Sequence, residues 1–243
     1  MDKVLLVTGA SSDVGIKLVQ DIYQDYKRVY LQYRTMNEPL KTLMKVIGEE
    51  TEVVPLQADF CNESSIVDMI NTIKDSQVLP NNIVHFPAPK AYNKQFHKDN
   101  WNNYQLGWEI SVHSIALILQ AFITHMSKNR YGRIVFMLTS YTQNYPAKYQ
   151  SSYVTVKYAL LGLMKSLAVE YIEKGITVNG VSPDMMETKF LSELPELIIE
   201  QNREKSPLGR NIYVEEVVPV IKYMLSDLGA SMTGQNIGIA GGL

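Results

Sequence analysis

The sequence predicts an α/β fold in a single domain, a doubly wound sheet of about seven mostly parallel strands with helices on both faces. Short apolar runs alternate with longer segments of helical apolar spacing along the whole chain. The apolar runs are continuous rather than alternating, which is typical of strands buried on both faces of a parallel sheet. No linker, low-complexity tract or internal repeat divides residues 1–243.

The predicted elements alternate from the first residues onward. The first strand covers residues 3–7, and the helix after it, at residues 13–26, places Val14, Leu18 and Ile22 on one face. Pro55 indicates that the third strand lies at an edge or ends there, because proline cannot donate to a sheet. The further strands are predicted at residues 28–33, 52–56, 82–86, 133–138, 176–181 and 236–239, and the further helices at residues 38–47, 64–74, 101–128, 151–173, 191–202 and 214–226.

The composition argues against several classes of function. The formal net charge is −2, whereas nucleic-acid-binding domains are usually strongly basic. The single cysteine, Cys61, excludes an intrachain disulfide and a metal site built on several cysteines, and we expect an inert packed thiol. The four histidines lack metal-binding spacing. We find no signal-peptide pattern and no apolar run long enough to cross a bilayer, so we expect a cytoplasmic protein that binds neither nucleic acid nor membranes.

A turn of small residues joins the first strand to the first helix. In an open parallel sheet a dinucleotide binds at this position, because the backbone can approach the pyrophosphate and the helix N-terminus supplies N–H groups. Taken alone, such a turn could equally be structural, but its place after a buried strand favours a phosphate cradle. Asp13 either faces the phosphates or caps the helix. The cradle residues are Thr8, Gly9, Ser11, Ser12, Asp13, Val14 and Gly15.

The end of the second strand indicates which dinucleotide binds. Domains that bind NAD usually place a carboxylate there, on the ribose 2′-hydroxyl. This chain has Gln32, Tyr33 and Arg34 instead. Because a guanidinium can pair with a 2′-phosphate, we predict NADP(H), with a solvated surface arginine as the alternative.

Tyr153 and Lys157 are four residues apart on the second long predicted helix, so they share one face. A nearby ammonium stabilises a phenolate and lowers the pKa of the tyrosine, which can then exchange a proton with an alkoxide. The spacing is not specific, since Tyr23 and Lys27 repeat it. The context differs, because Ser140 follows the fifth strand, and strand ends line the site in such a sheet.

These features together resemble the short-chain dehydrogenase/reductase family, over nearly the whole chain. Residues 8–15 are similar to its TGxxxGxG signature, and Ser140, Tyr153 and Lys157 match its catalytic set. Residues 178–184 are similar to its VNxVxPG segment, and residues 207–217 and 233–242 resemble those of bacterial 3-oxoacyl-carrier-protein reductases. The resemblance implies a Rossmann fold in which Ser140 bonds the substrate carbonyl, Tyr153 is the general acid in reduction and Lys157 binds the nicotinamide ribose.

The resemblance also implies further cofactor contacts. Asp59 matches the residue that contacts adenine, although by itself it could be a turn or helix-cap residue. Phe86 lies in the segment that forms a wall of the adenine pocket. Pro183 belongs to the segment after the sixth strand, and Thr188 matches a residue that contacts the carboxamide or the phosphates.

Four positions depart from the family pattern. Asp13 and Asp184 replace glycines, and Pro87 lacks the backbone N–H of the residue it replaces. Ser111 stands where the family has its fourth catalytic residue, an asparagine, and could still hold a relay water. The leading hypothesis is an NADPH-dependent reductase of a ketone on a small or carrier-borne substrate, such as a 3-oxoacyl thioester. The alternative hypothesis is a degenerate member that acts as a non-catalytic binding or assembly subunit.

The resemblance implies two more features. Residues 189–210 would cover the site as a lid, and Arg130 matches one position of a docking surface for acidic carrier proteins, whereas Val169 does not match the other. Relatives are mostly tetramers in which the two long helices pair across symmetric interfaces. We therefore expect a homo-oligomer, specifically a homotetramer. Alternatively, the apolar residues of these helices simply pack on the sheet. They are Leu117, Ile118, Phe122, Leu160, Leu163, Met164 and Leu167.

Overall fold

A seven-stranded parallel sheet forms the centre of the computed structural model, which describes residues 2–48, 50–89, 93–189, 191 and 196–242. The strand order is β3-β2-β1-β4-β5-β6-β7. This confirms the predicted doubly wound α/β fold, and every predicted strand is found. The strands are β1 (Val4–Thr8), β2 (Arg28–Tyr33), β3 (Glu52–Gln57), β4 (Asn82–His85), β5 (Gly132–Met137), β6 (Ile176–Pro183) and β7 (Asn236–Ile239).

Helices cover both faces of the sheet. Alternate residues of a strand point to opposite faces, so Leu5 and Val7 of β1 pack under α1, α2 and α8, whereas Leu6 packs under α3, α5 and α6. The helices are α1 (Asp13–Ile22), α2 (Glu38–Val46), α3 (Glu63–Asp75), α4 (Trp101–Trp108), α5 (Ser114–Asn129), α6 (Ser151–Tyr171), α7 (Glu196–Lys205) and α8 (Val214–Leu225). The helix predicted at residues 191–202 corresponds to α7, and its residues 192–195 lie outside the described residues.

The edge position predicted for Pro55 is confirmed. β3 is the first strand in the sheet order and pairs with β2, where Pro55 lies opposite Leu31. The missing N–H of Pro55 is tolerated there because an edge strand has one side without a strand neighbour.

The first long helix is interrupted, which the sequence prediction of one helix over residues 101–128 did not include. Between α4 and α5 lies one π-helical segment, Glu109–His113, in which the N–H of Ser114 donates to the carbonyl of Glu109. Such single wide turns occur frequently at functional sites. This one places Ser111, fully buried, toward the sheet.

The apolar residues predicted to form the oligomer interface are mostly buried inside the chain itself. Four of its seven residues pack inside the chain's own core, so this part of the prediction was wrong: Ile118, Phe122, Leu160 and Met164. Leu117, Leu163 and Leu167 are only partly buried. The sequence analysis found no apolar run long enough to cross a bilayer, but the helical stretch Trp101–Asn129 is long and apolar enough by length and composition. Half of its most apolar window is buried inside the protein.

Candidate active site

The order in which the strands are added to the sheet reverses between β1 and β4. In doubly wound folds ligands bind at the carboxyl ends of the strands at this point. Thr8 ends β1 and lies opposite Gln32 of β2 on one side and His85 of β4 on the other. The predicted cradle therefore stands at the expected edge of the sheet.

The two glycines of the turn are required by its geometry. Gly9 has φ +71°, a conformation that glycine adopts without strain, and its N–H donates to Gln32 Oε1 at 2.8 Å. A Cβ on Gly15 would lie 2.9 Å from the Gly9 carbonyl oxygen. The helix therefore packs directly on the turn, which brings the N–H groups of its first turn to the crevice.

Ser12, not Asp13, caps this helix. The Ser12 hydroxyl accepts a hydrogen bond from the Gly15 N–H at 3.1 Å and donates to the Gly9 carbonyl at 2.8 Å. Asp13 is the first helical residue, and its Oδ2 accepts from the Lys189 N–H at 2.7 Å. The predicted capping role of Asp13 was wrong, because Ser12 occupies the cap and the carboxylate bonds the start of the predicted lid.

A cavity of about 240 Å³ lies beside the cradle. Arg34 is exposed at its rim, and no hydrogen bond or ion pair of the guanidinium is found within the described ranges. Asp59 also lines the cavity, and its carboxylate accepts from the Cys61 N–H at 3.0 Å, so it is a turn residue as well. The lining is completed by Gly9, Ser11, Gln32, Thr35, Ala58, Phe60, Pro87, Ala88 and Ile110.

Three features near this cavity were not predicted from the sequence. Phe86 is buried beneath Gly9, and Pro87 and Ala88 form the wall in its place. Asn37, which the sequence analysis missed, donates from Nδ2 to the Ser11 carbonyl at 2.8 Å and ties α2 to the cradle. Cys61 is exposed, whereas the sequence predicted a packed thiol. The part of its side chain that is shielded from water, together with the charge of the Asp59 carboxylate, raises the pKa of the thiol.

His85 is fully buried and connects the cradle to the π-helical segment. Its Nε2 lies 3.1 Å from the Ser111 carbonyl oxygen and its Nδ1 lies 2.8 Å from Thr8 Oγ1. A carbonyl oxygen only accepts, so Nε2 carries the proton and Thr8 donates to Nδ1. Burial and the charge of Lys157 lower the pKa of His85 to about 3, so the ring is neutral and serves to position its two partners.

Ser111 is held by two contacts. Its hydroxyl donates to the Pro87 carbonyl at 3.2 Å, and its own carbonyl accepts from His85. Both polar groups of Ser111 are therefore engaged within the protein.

Tyr153 and Lys157 are neighbours on α6, as predicted. The Lys157 ammonium lies 5.6 Å from the centroid of the Tyr153 ring and donates to the Met137 carbonyl at 2.8 Å. Burial lowers the pKa of Lys157 to about 8. The expected lowering of the Tyr153 pKa is not found. Burial raises this pKa to about 12, and this effect outweighs a hydrogen bond with Thr139 that lowers it.

Ser140 is buried at the carboxyl edge after β5, but its partner was not foreseen. Its hydroxyl donates to Asp184 Oδ1 at 2.9 Å, and Asp184 Oδ2 accepts from Asn202 Nδ2 of α7 at 3.1 Å. The only sequence signal was the aspartate in place of a glycine. Asp184 directly follows Pro183, the last residue of β6, and Thr188 is half-buried beyond it.

The described part of the lid segment, residues 189, 191 and 196–210, borders both halves of the site. Lys189 bonds Asp13 of the cradle, and Asn202 bonds Asp184 beside Ser140. The covering role expected for this segment stays a prediction.

Comparison with known proteins agrees with this architecture. The family model described as enoyl-(acyl carrier protein) reductase matches residues 9–243. The chain is 28% identical to the 3-oxoacyl-(acyl-carrier-protein) reductase FabG of Aquifex aeolicus, over 99% of this chain and 97% of that protein. Levodione reductase superposes with a TM-score of 0.89 at 20% identity, over 100% of this chain and 97% of that chain.

The fold, the glycine cradle and the family match define an oxidoreductase class with a nicotinamide cofactor. The chain belongs to the short-chain dehydrogenase/reductase family. Solved structures of this fold hold either form of the cofactor. ElxO with NADP bound has a TM-score of 0.87 at 20% identity, over 100% of this chain and 98% of that chain. A 3-oxoacyl-(acyl-carrier protein) reductase from Brucella melitensis with bound NAD has a TM-score of 0.85 at 19% identity, over 99% and 90%.

Proposed function

We propose that this protein is an NADPH-dependent reductase that converts a ketone into a secondary alcohol. One observation carries the proposal: the buried ammonium of Lys157 lies 5.6 Å from the ring centroid of Tyr153. This pair stands on α6, which packs on the sheet whose carboxyl edge carries Ser140 and the glycine cradle. The name of the Aquifex aeolicus relative, a 3-oxoacyl reductase, supports the same reaction class.

The residues around the cradle fit a dinucleotide. The N-terminal turn of α1, with Ser11 to Gly15 at its start, would hold the pyrophosphate, and Gly15 lets this helix pack directly against the backbone of Gly9 and Ala10. Asp59 would contact adenine. The Arg34 guanidinium would pair with the 2′-phosphate, since β2 ends without a carboxylate. Thr188 would contact the nicotinamide end.

Tyr153 is the proton donor in this proposal. The bound nicotinamide supplies the hydride to the carbonyl carbon. A tyrosine whose pKa is about 12 is protonated at neutral pH, so its hydroxyl donates to the carbonyl oxygen and then transfers its proton to the alkoxide. The Lys157 ammonium stabilises the phenolate that remains. Ser140 holds the substrate oxygen.

Ser111 has a positioning role in this proposal. Its hydroxyl donates to the Pro87 carbonyl and its own carbonyl accepts from His85, so a relay water would have to donate to the hydroxyl oxygen. The buried His85 keeps the π-helical segment against the end of β1, which fixes the wall between the cavity and the catalytic residues.

The name of the Aquifex aeolicus relative makes a 3-oxoacyl thioester one candidate substrate. A carrier protein would meet Arg130, whose Nη2 donates to the Glu173 carbonyl at 3.0 Å, and Val169, which is 81% exposed. We further propose a cytoplasmic homotetramer. Leu117, Leu163 and Leu167, which are the partly buried members of the set predicted from the sequence, would lie at its interface.

The experiment compares turnover by two matched tyrosine variants. Tyr153→Phe removes the proton donor and is expected to lower the rate of ketone reduction by about 10²-fold or more, with an unchanged circular dichroism spectrum. Tyr23→Phe removes an exposed hydroxyl that contacts only Gln24 among the described residues, and it should leave the rate unchanged. Equal effects of the two substitutions would refute the role of Tyr153.

A fluorescence titration separates the alternative function. A non-catalytic binding subunit would bind NADPH without oxidising it in the presence of any ketone, or would bind neither cofactor. Tight binding of NADPH together with turnover supports the reductase, and a preference for NADH contradicts the assignment of Arg34.

A further inference from the structure

Asp184 places a carboxylate beside the serine of the proposed catalytic set. It follows β6, and its N–H donates to the Ile239 carbonyl at 3.1 Å, which fixes its backbone. Its Oδ1 accepts from Ser140 at 2.9 Å and its Oδ2 from Asn202 at 3.1 Å. The carboxylate is therefore held from two sides, with Oδ1 against Ser140 and Oδ2 against α7.

Hydrogen-bond accounting shows what this corner offers to a substrate. A serine hydroxyl has one proton, and Ser140 gives it to Asp184. In this state Ser140 and Asp184 present only acceptor oxygens. A ketone oxygen is also an acceptor, and it becomes negative during reduction, so the carboxylate opposes the very charge that the site must stabilise.

Among the described residues, no lysine or arginine forms an ion pair with Asp184. Arg203, which follows the Asp184 partner Asn202 in α7, is paired with Glu187 at 2.7 Å. The negative charge reaches the neighbouring Tyr141, where it adds to burial in raising the pKa of the phenol. A cation brought by the substrate would find this charge without a competitor.

We propose that Asp184 determines specificity by selecting ketones that carry a protonated amine on a carbon next to, or one removed from, the carbonyl. The inference rests on the proposed ketone reduction. The substrate ammonium takes over Asp184, which frees the Ser140 proton for the carbonyl oxygen. The two groups of the substrate must be close together, because Ser140 Oγ and Asp184 Oδ1 are 2.9 Å apart.

The reaction balances without a further reactant. The carbonyl carbon gains hydride from the nicotinamide and the oxygen gains the proton of Tyr153, so that the C=O double bond becomes an alcohol. The ammonium keeps its protons and is unchanged, and the product is an amino alcohol. A 3-oxoacyl thioester offers only acceptor oxygens around its ketone, so Asp184 disfavours it.

The test compares three ketones with the whole protein and NADPH at neutral pH: aminoacetone, butanone and the N-acetylcysteamine thioester of acetoacetate. We expect the kcat/KM of the wild type for aminoacetone to exceed that for butanone by about ten- to a hundredfold, the size of a charge-assisted hydrogen bond. Asp184→Asn keeps the shape without the charge and should reduce this ratio at least tenfold. Asp184→Gly should do the same and improve turnover of the thioester.

Glu187→Gln is the matched control. Glu187 belongs to the same network, since it accepts from Arg203 and from Asn211, which contacts Asn202. It does not touch Ser140, so its variant should keep the wild-type ratio. If Glu187→Gln abolished the ratio equally, the effect would belong to the network and not to the carboxylate at Ser140, and the inference would be overturned.

The outcomes separate this inference from the proposed function. Wild-type turnover that favours butanone or the thioester overturns the inference and leaves the reductase function intact, whereas no turnover of any ketone overturns the function. Calorimetry with NADPH present, with which an alcohol cannot react, tests Asp184 without turnover. 1-Amino-2-propanol should bind at least tenfold more tightly than 2-butanol to the wild type and lose this advantage in Asp184→Asn, and equal binding of the two alcohols contradicts the role of Asp184.

Discussion

Substitution of Asp13 should mainly loosen the start of the predicted lid, at Lys189, and have a smaller effect on the N-terminal end of α1. In the structure the Asp13 carboxylate accepts from the Lys189 N–H at 2.7 Å, across 176 residues of sequence. Asp13→Ala removes this acceptor and the negative charge in the first turn, whereas Asp13→Asn keeps an acceptor oxygen without the charge. Comparing these two variants separates the tether from the charge.

The expected magnitude follows from these two contributions. A half-exposed hydrogen bond to a carboxylate contributes about 1 kcal/mol, and a negative charge near a helix N-terminus about 0.5 kcal/mol. Alanine regains a few tenths through its helix propensity. Asp13→Ala should therefore lower the unfolding free energy by about 1 kcal/mol, or the Tm by about 2–4 °C in a chain of this size. Asp13→Asn should lose about half as much.

The assay is thermal unfolding by circular dichroism, with an NADPH titration of each variant. Asp13→Asn keeps the tether but removes a negative charge from the cradle, so NADPH should bind up to about fivefold more tightly. Asp21→Ala is the control, since the Asp21 carboxylate pairs with Lys17 on the surface of the same helix, and this substitution should have a smaller effect. Weaker NADPH binding by Asp13→Asn would refute the argument, because the carboxylate would then be part of the cofactor site.

Three further outcomes are expected. Arg34→Ala should weaken NADPH binding by about 1.5–3 kcal/mol and leave NADH binding unchanged in parallel fluorescence titrations; an equal loss would contradict the 2′-phosphate role. The pKa of His85 is about 3 in the folded chain and about 6.5 for an unperturbed histidine, so only the unfolded chain takes up a proton at this residue as the pH falls below 6.5. The wild type should therefore lose about 1.5 kcal/mol more stability than His85→Gln between pH 6.5 and 5 in urea titrations, and parallel losses would refute the neutral ring. Light scattering should give four times 27.6 kDa for the wild type and less for Leu163→Asp, whereas a monomeric wild type would reject the tetramer.

The sheet could be predicted from the sequence because its signal is local. Strands buried on both faces are continuous apolar runs, and each run that was predicted as a strand became a strand of the sheet. The glycine cradle was predictable for the same reason, since a turn between a buried strand and a helix has a narrow choice of residues. Even the edge position of β3 followed from one residue, Pro55.

The π-helical segment could not be predicted in this way. Residues 109–113 continue the helical apolar spacing, and the wide turn is accompanied by a contact from outside the helix. His85, in a different strand, donates to the carbonyl of Ser111. A buried histidine in an apolar strand gave no sign of this partner, because the contact spans 26 residues and exists only in the folded chain.

Carboxylates in glycine positions were noticed but not understood from the sequence. Asp13 suggested either a residue that faces the phosphates or a helix cap, and Asp184 was noted only as a replacement of a family glycine. Each bonds a residue far along the chain: Lys189 for the first, Ser140 and Asn202 for the second. Residue type predicts that a carboxylate needs donors, but only the fold supplies them.

The four departures from the family pattern form contacts, and this argues against a degenerate site. Pro87 and Ser111 are bonded to each other, since the Ser111 hydroxyl donates to the Pro87 carbonyl. Asp13 and Asp184 both tie down the segment that starts at Lys189, one at the cradle and one through Asn202 of α7. A chain released from its chemistry would accumulate unrelated substitutions, and nothing would keep their hydrogen bonds satisfied. Here each substituted side chain or carbonyl has a partner that positions a part of the proposed site, as expected of a reductase adapted to a different substrate.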